Sequence, residues 1–320
     1  MRPREGVSPE APLHRLFFNE QRLRAGWRIA VFFGLFLVFS VVGQIAVGFL
    51  PAATLRWASI LAALAAALAA GWIVLARLDG RPIGALGFAW TRRSGREIAW
   101  GTALGGALIL GAALLLFLSR AAYFIPDSGT AGGYVATLFS TFCFFAIAAA
   151  WEEALFRGYP FQALVEGIGA WPATIFASAL FSAMHGWNPG IDWVALINIF
   201  LAGVMLSLAY LRTRSLWFAT AVHTGWNWTM ATLLDFPVSG LVFDTPLYGV
   251  RELGPAWWTG GGFGPEAGLA GTIVLLVAIV WMTRTPRLAP APELLRLGPI
   301  VDRRLGPPAE ATAPEWSSVA

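Results

Sequence analysis

The sequence contains no lysine; all 22 of its basic residues are arginine. Its 320 residues include one cysteine and three histidines, and only 12% of the side chains are charged. Each scarcity excludes something. A single cysteine, Cys143 in the run FSTFCFFAI, permits neither an intramolecular disulfide nor a cysteine-based zinc site. It reads as a small buried hydrophobe. Soluble domains carry about 25% charged residues, so half that share excludes an ordinary soluble protein. The missing lysine is read as a matter of genomic base composition rather than chemistry. No nucleic-acid motif is present, and no nucleic-acid partner is expected. The net charge of +4 sits in loops and tails, where it bears on membrane topology. There is no G-x-S-x-G setting for a serine nucleophile and no HExxH zinc motif.

What the chain has in quantity is apolar surface: 57% hydrophobic residues and a mean hydropathy of +0.65. A membrane span needs about 20 apolar residues. Eight candidates occur, at 27–49, 57–76, 98–118, 134–157, 170–185, 193–211, 215–233 and 268–283. The expected fold is therefore all-α, a polytopic membrane bundle of about eight transmembrane helices. The apolar run near the N-terminus exceeds the roughly 7–15 residues of a signal-peptide core and reads as an anchor helix. Three regions follow: a cytoplasmic N-terminal segment 1–26, a helical domain 27–283, and a Pro/Ala-rich tail 284–320 that reads as disordered. Small residues crowd spans two (ILAALAAALAAG) and three (GTALGGALILGAA), which suits close helix packing.

The arginines give the orientation. Those at 2, 4, 15, 22, 24 and 28 precede span one, and those at 77, 81, 92, 93 and 96 follow span two. Arg212 and Arg214 follow span six, and those at 284, 287, 296, 303 and 304 follow span eight. With alternating spans all of these fall on one side, whereas the opposite loops hold only Arg56, Arg120 and Arg251. The positive-inside rule puts both termini in the cytoplasm. A bacterial inner membrane is the expected location. The longest external loop, 234–267, is rich in Gly, Pro and Trp and reads as a plain loop or a lid.

Against this background a few polar residues are misplaced. The segment WEEALFR puts Glu152, Glu153 and Arg157 at the end of span four, where a charge at the bilayer centre costs roughly 2.5–3.5 kcal/mol on insertion scales. His185 ends FSAMH, and His223 lies in AVHTGWNW with Asn227 four residues on. Glu153 and Arg157 are spaced i,i+4 and can pair along one helix face. Glu152, rotated about 100° away, cannot share Arg157 equally and needs a partner from another helix. Phe181 and His185 share a face, as do His223 and Asn227. If spans four and five form a hairpin turning near 166–172, Glu152 and His185 lie at nearly equal heights, since both helices rise equally per residue. The hairpin requires helix four to continue through GYPFQALVEG.

A sheltered carboxylate with imidazoles can activate water, and a second imidazole with an amide can stabilise an oxyanion. Glu152, His185 and His223 also match a three-ligand zinc set in residue type, so water activation with no cofactor and with zinc both remain open. A transporter would use similar residues but would show broken helices or inverted repeats. A non-catalytic scaffold would have no use for an unpaired Glu152.

The E-E-x-x-x-R of Glu152, Glu153 and Arg157, the F-x-x-x-H of Phe181 and His185, and the H-x-x-x-N of His223 and Asn227 resemble, in order and spacing, the CPBP family of intramembrane proteases. That family groups CAAX prenyl proteases of the Rce1 type with bacteriocin-processing and related bacterial enzymes. FFNEQRLRAGWR, FRGYPFQAL and the weaker NIFLAGVMLS, with Asn198 and Gly203, add to the resemblance, which spans about residues 17–233. It implies an eight-helix intramembrane protease acting on a peptide or membrane-protein substrate within the bilayer. Carried over, Glu152 activates water, His185 polarises it, His223 and Asn227 stabilise the oxyanion, and Glu153, Arg157 and Phe181 support them. A scaffold or immunity role in the same family is the alternative.

Overall fold

A computed structural model describes residues 16–18 and 23–297. The apolar runs fold as helices, because in hydrocarbon a helix satisfies its own backbone N–H and C=O groups. Helix α1 spans Ala25–Val47, α2 Leu55–Leu78 and α3 Ser94–Leu118. Strand β1 (Ala122–Pro126) precedes α4 (Ala131–Phe156) and the short α5 (Tyr159–Ile168). Then come α6 (Ala170–Met184), α7 (Trp193–Thr213) and α8 (Leu216–Trp228), the last extended by a π-helical turn, Thr229–Leu233. Strand β2 (Tyr248–Glu252), the one-turn α9 (Ala256–Thr259), α10 (Leu269–Arg284) and α11 (Pro292–Arg296) follow.

Five helical segments are long and apolar enough to cross a membrane: Ala25–Val47, Ala52–Leu78, Ser94–Leu118, Ala131–Ile168 and Trp193–Thr213. The fifth, seventh and eighth expected spans are also helical, but α6, α8 and α10 have only 15, 13 and 16 residues. At 1.5 Å per residue they reach roughly 20–24 Å, short of a ~30 Å hydrocarbon core. For α8 the reason is its position. Every residue except Trp217, Asn227 and Trp228 is buried, and a helix walled by protein need not match the lipid thickness.

Helix α8 packs along α3, α4 and α7. Its contact with α3 depends on glycine: a Cβ on Gly105 would stand 2.0 Å from Val222 O, and one on Gly225 would stand 2.1 Å from Thr102 O. Small residues at such crossings let backbones approach where no side chain fits. One buried apolar cluster centres on α3, α7, α8 and α10, and a second joins α1, α2, α5 and α6.

At the arginine-rich end a buried ionic cluster ties α1, α2 and α5 together. Arg28 Nη1 donates to Asp79 Oδ1 (2.6 Å) and Nη2 to Glu166 Oε2 (2.9 Å), while Arg81 Nη2 donates to Glu166 Oε1 (2.5 Å).

Three expectations change. Helix four does not run on into GYPFQALVEG; it ends at Phe156 and restarts as α5. A Cβ on Gly158 would meet Ala154 O at 2.2 Å, and Pro160 occupies the first turn of α5. The 234–267 loop is structured: β2 pairs antiparallel with β1, with Phe124 opposite Val250, so the all-α expectation lacks a two-stranded ribbon. The start of the expected disordered tail is packed, because Leu288, Ala291 and Leu294 are buried and Arg212 Nη2 donates to Thr285 O (2.5 Å). The remainder of the tail, from 298, lies outside the described residues, as do 1–15 and 19–22 of the N-terminal segment.

Candidate active site

Helix α4 delivers its two adjacent glutamates to different environments. Glu153 is fully buried and its Oε1 accepts from Arg157 Nη1 (3.1 Å) and from His223 Nδ1 (3.0 Å). Arg157, also fully buried, further donates to Gly203 O (3.0 Å) and, at 3.5 Å, to Ser207 Oγ on α7. Its guanidinium lies 4.5 Å from the centre of the Phe181 ring. Glu152 instead lines a cavity of about 330 Å³. Its Oε2 has no hydrogen-bond partner in the protein and stands 3.8 Å from His223 Nε2. That gap exceeds a direct hydrogen bond and is one a water can bridge.

His185 sits where α6 ends in a 3₁₀ turn, His185–Trp187. Its Nδ1–H donates to Phe181 O (2.8 Å); a carbonyl can only accept, so the proton is on Nδ1. Phe181 O is one of the last carbonyls of the helix, which lack intrahelical partners. Likewise the Glu153 carboxylate holds the proton of His223 on Nδ1. In both rings Nε2 is left for chemistry. Phe181 is the common wall, with ring centroids 4.6 Å from His185, 6.2 Å from His223 and 5.1 Å from Phe156.

The cavity is thus lined by Glu152, Phe181, His185, His223 and Asn227, while Glu153 and Arg157 lie behind its wall. Asn198 and Gly203 do not line it. Asn198 joins α7 to α10, donating to Gly268 O (3.0 Å) and accepting from Thr272 Oγ1 (2.8 Å). A Cβ on Gly203 would come within 2.9 Å of Ser178, so its glycine allows α6 and α7 to meet. Cys143 is a free, partly exposed thiol.

The sequence reading missed Glu266. It lines the cavity from the 234–267 segment and accepts from Trp226 Nε1 (3.1 Å), Ser239 N (2.7 Å) and Ser239 Oγ (2.7 Å). Its one signal was being a lone acid in a Gly- and Trp-rich stretch. Nothing in its spacing points to the residue before Asn227.

Glu152, His185 and His223 were the candidate zinc ligands. Among the described residues no three His, Cys, Asp or Glu side chains are disposed to share a metal ion. The set as arranged does not fit a three-ligand site, so the chemistry is derived from the side chains alone.

Residues 134–229 match the family described as type II CAAX prenyl endopeptidase Rce1-like. The matched segment contains Glu152, Glu153, Arg157, Phe181, His185, His223 and Asn227. No curated protein matches the chain. The segment is an Rce1-like domain of an integral membrane protein.

Proposed function

From the premise of an Rce1-like domain at 134–229, we propose that the protein is an intramembrane endopeptidase hydrolysing a membrane-associated peptide or protein. The observation that carries this reading is the division of WEEALFR: Glu152 faces a cavity with two imidazoles and an amide, while Glu153 and Arg157 hold one of those imidazoles from behind.

The Glu152 carboxylate takes a proton from water, and His185 Nε2 accepts a second hydrogen bond that orients it. The hydroxide attacks the scissile carbonyl carbon. The resulting oxyanion accepts from Asn227 Nδ2 and from His223 Nε2–H, the imidazolium being held by Glu153 at Nδ1. Collapse breaks the C–N bond, and Glu152 returns its proton to the leaving amine. One water is consumed, and one carboxylic acid and one amine form, the acid then passing its proton to the amine. The neutral His223 tautomer has no proton on Nε2. A proton there also balances Glu152 and Glu153 against Arg157, leaving the buried set without net charge.

We further propose that α6, α8 and α10 cross the membrane beside the five longer segments, giving eight spans in a bacterial inner membrane with both termini cytoplasmic. Packing against protein supports a short span for α8, and the exposed apolar side chains of α6 (Ile175, Phe176) and α10 (Val277, Val280) suit contact with lipid.

The test is cleavage of a quenched-peptide library by purified protein in detergent, beside Glu152→Gln and His185→Ala, each with and without a strong chelator. Loss of cleavage in both folded variants is expected. Cleavage unchanged by either substitution overturns the assignment. Chelator inhibition reversed by zinc would move the water onto a metal.

A further inference from the structure

The two ends of the helix bundle differ in charge, and the cavity reaches only one of them. The arginine-rich end comprises 79–93, 157–169, 212–215 and 285–297, and no residue of these segments lines the cavity. Its opposite end is reached by Asn188, Val238, Ser239, Leu241, Phe243 and Glu266, all from connections on the arginine-poor side. The arginine-rich segments contribute nothing to the lining. Glu153 and Arg157 form the floor, and beyond them lie the Arg28–Asp79–Glu166–Arg81 cluster and Gln162, whose amide donates to Ala85 O (3.0 Å) and Leu86 O (3.1 Å). At the other end Arg56 lies over the rings of Phe144 (4.2 Å) and Phe243 (5.0 Å), both of which line the cavity, and so marks its mouth.

We infer that the cavity opens on the extracytoplasmic face and that its substrate is an extended peptide segment presented there, next to the outer leaflet. This rests on the proteolytic reading and narrows it. A cytoplasmic prenylated C-terminus, the substrate implied by the family description, would meet the arginine-rich end, which the cavity does not reach. A volume of about 330 Å³ admits a few side chains and no folded unit, and apolar walls such as Ile60, Leu155 and Ile199 favour apolar residues beside the scissile bond. The substrate class is therefore the unfolded juxtamembrane stretch of an exported or membrane-anchored chain.

Cys143 is the sole cysteine, so Cys143→Ala supplies a background for single labels. Trp187→Cys and Leu253→Cys, at positions 85% and 67% exposed, report the mouth side; Trp90→Cys, at a position 69% exposed, reports the arginine-rich side. A membrane-impermeant maleimide on intact bacterial cells is expected to label the first two, and the third only after permeabilisation. The reverse pattern overturns the inference. In a second arm, an impermeant quenched peptide cleaved by the detergent-solubilised enzyme is added to right-side-out and to inverted vesicles. Cleavage confined to right-side-out vesicles is expected, and cleavage in inverted vesicles overturns the inference. If solubilised wild type cleaves no peptide, the proteolytic reading and the substrate class fall together, while the labelling still decides which face the cavity opens on.

Discussion

Two clusters of buried charge among the described residues are built differently. In the arginine-end cluster Arg28 and Arg81 meet Asp79 and Glu166, and each carboxylate has a guanidinium at 2.5–2.9 Å. In the cavity-side cluster Arg157 pairs with Glu153 alone, and Glu152 is left 3.8 Å from an imidazole; Oε2 of each glutamate has no hydrogen-bond partner. The first clamps three helices. The second leaves the Glu152 Oε2 without a hydrogen bond, and that position faces a cavity. A buried charge whose pairing is incomplete costs stability, and its placement in a cavity is what makes it available for proton transfer.

The sharpest way to break the comparison is to neutralise one carboxylate in each cluster. Glu152→Gln is expected to lower kcat by about 10²–10⁴ while leaving the thermal midpoint nearly unchanged. Glu166→Gln strands part of the buried Arg28 guanidinium and releases the partly exposed Arg81, and is expected to cost about 3 kcal/mol of stability, with kcat of the folded fraction unaltered. Thermal unfolding and peptide turnover on the same preparations separate the two; equal stability losses would erase the distinction.

Arg157→Gln should combine both effects. It leaves Glu153 buried without its cation, a loss of about 3–5 kcal/mol, and it loosens the carboxylate that orients His223, so turnover falls as well. A variant that unfolds less readily than wild type would contradict the supporting role of Arg157. Asn227→Ala removes one donor to the oxyanion and should cost about 10²–10³ in kcat with little change in KM or melting. A change confined to KM would assign Asn227 to substrate binding instead.

The smallest effect concerns the mouth side. Burial raises the carboxyl pKa of Glu252, against hydrogen bonds from Thr259 and the Gly261 N–H, and burial likewise raises that of Asp235. A carboxyl whose folded pKa is raised adds stability when protonated, and that stability is lost as pH rises through the folded value. Amide-exchange protection of the β1–β2 ribbon, corrected for intrinsic rates, should therefore grow as pH falls from neutral toward the ordinary carboxyl range. Glu252→Gln should flatten that trend; an unchanged slope would remove Glu252 as its source.

The sequence made the local relations readable. Glu153 and Arg157 sit four apart on one helix, so their pairing follows from helix geometry alone, and the same geometry turns Glu152 away. The apolar runs foretold helices, and the small residues of spans two and three foretold close packing without naming the partner. Relations across the chain were not readable. Arg28 and Glu166 appeared only as a topological charge and part of a mixed segment, because nothing local brings α1 to α5. Glu266 reaches the cavity through a segment with no periodic pattern. Span counting by hydropathy also assumes that every apolar run faces lipid, an assumption that fails for α8, which is walled by protein. The leucines of 288 and 294 are spaced too sparsely among prolines to signal packing.

The glycine seam between α3 and α8 has a mechanical consequence. With a backbone carbonyl 2.0 Å from where a Cβ on Gly105 would be, the two helices cannot close further, and their interlocked surfaces leave little room to slide. His223 and Asn227 therefore ride on a fixed rail. Glu152 stands on the facing helix α4, which Glu153 ties to α8 and Arg157 ties to α7. On the proposed mechanism, the oxyanion donors His223 and Asn227 are thus held in place while substrate enters.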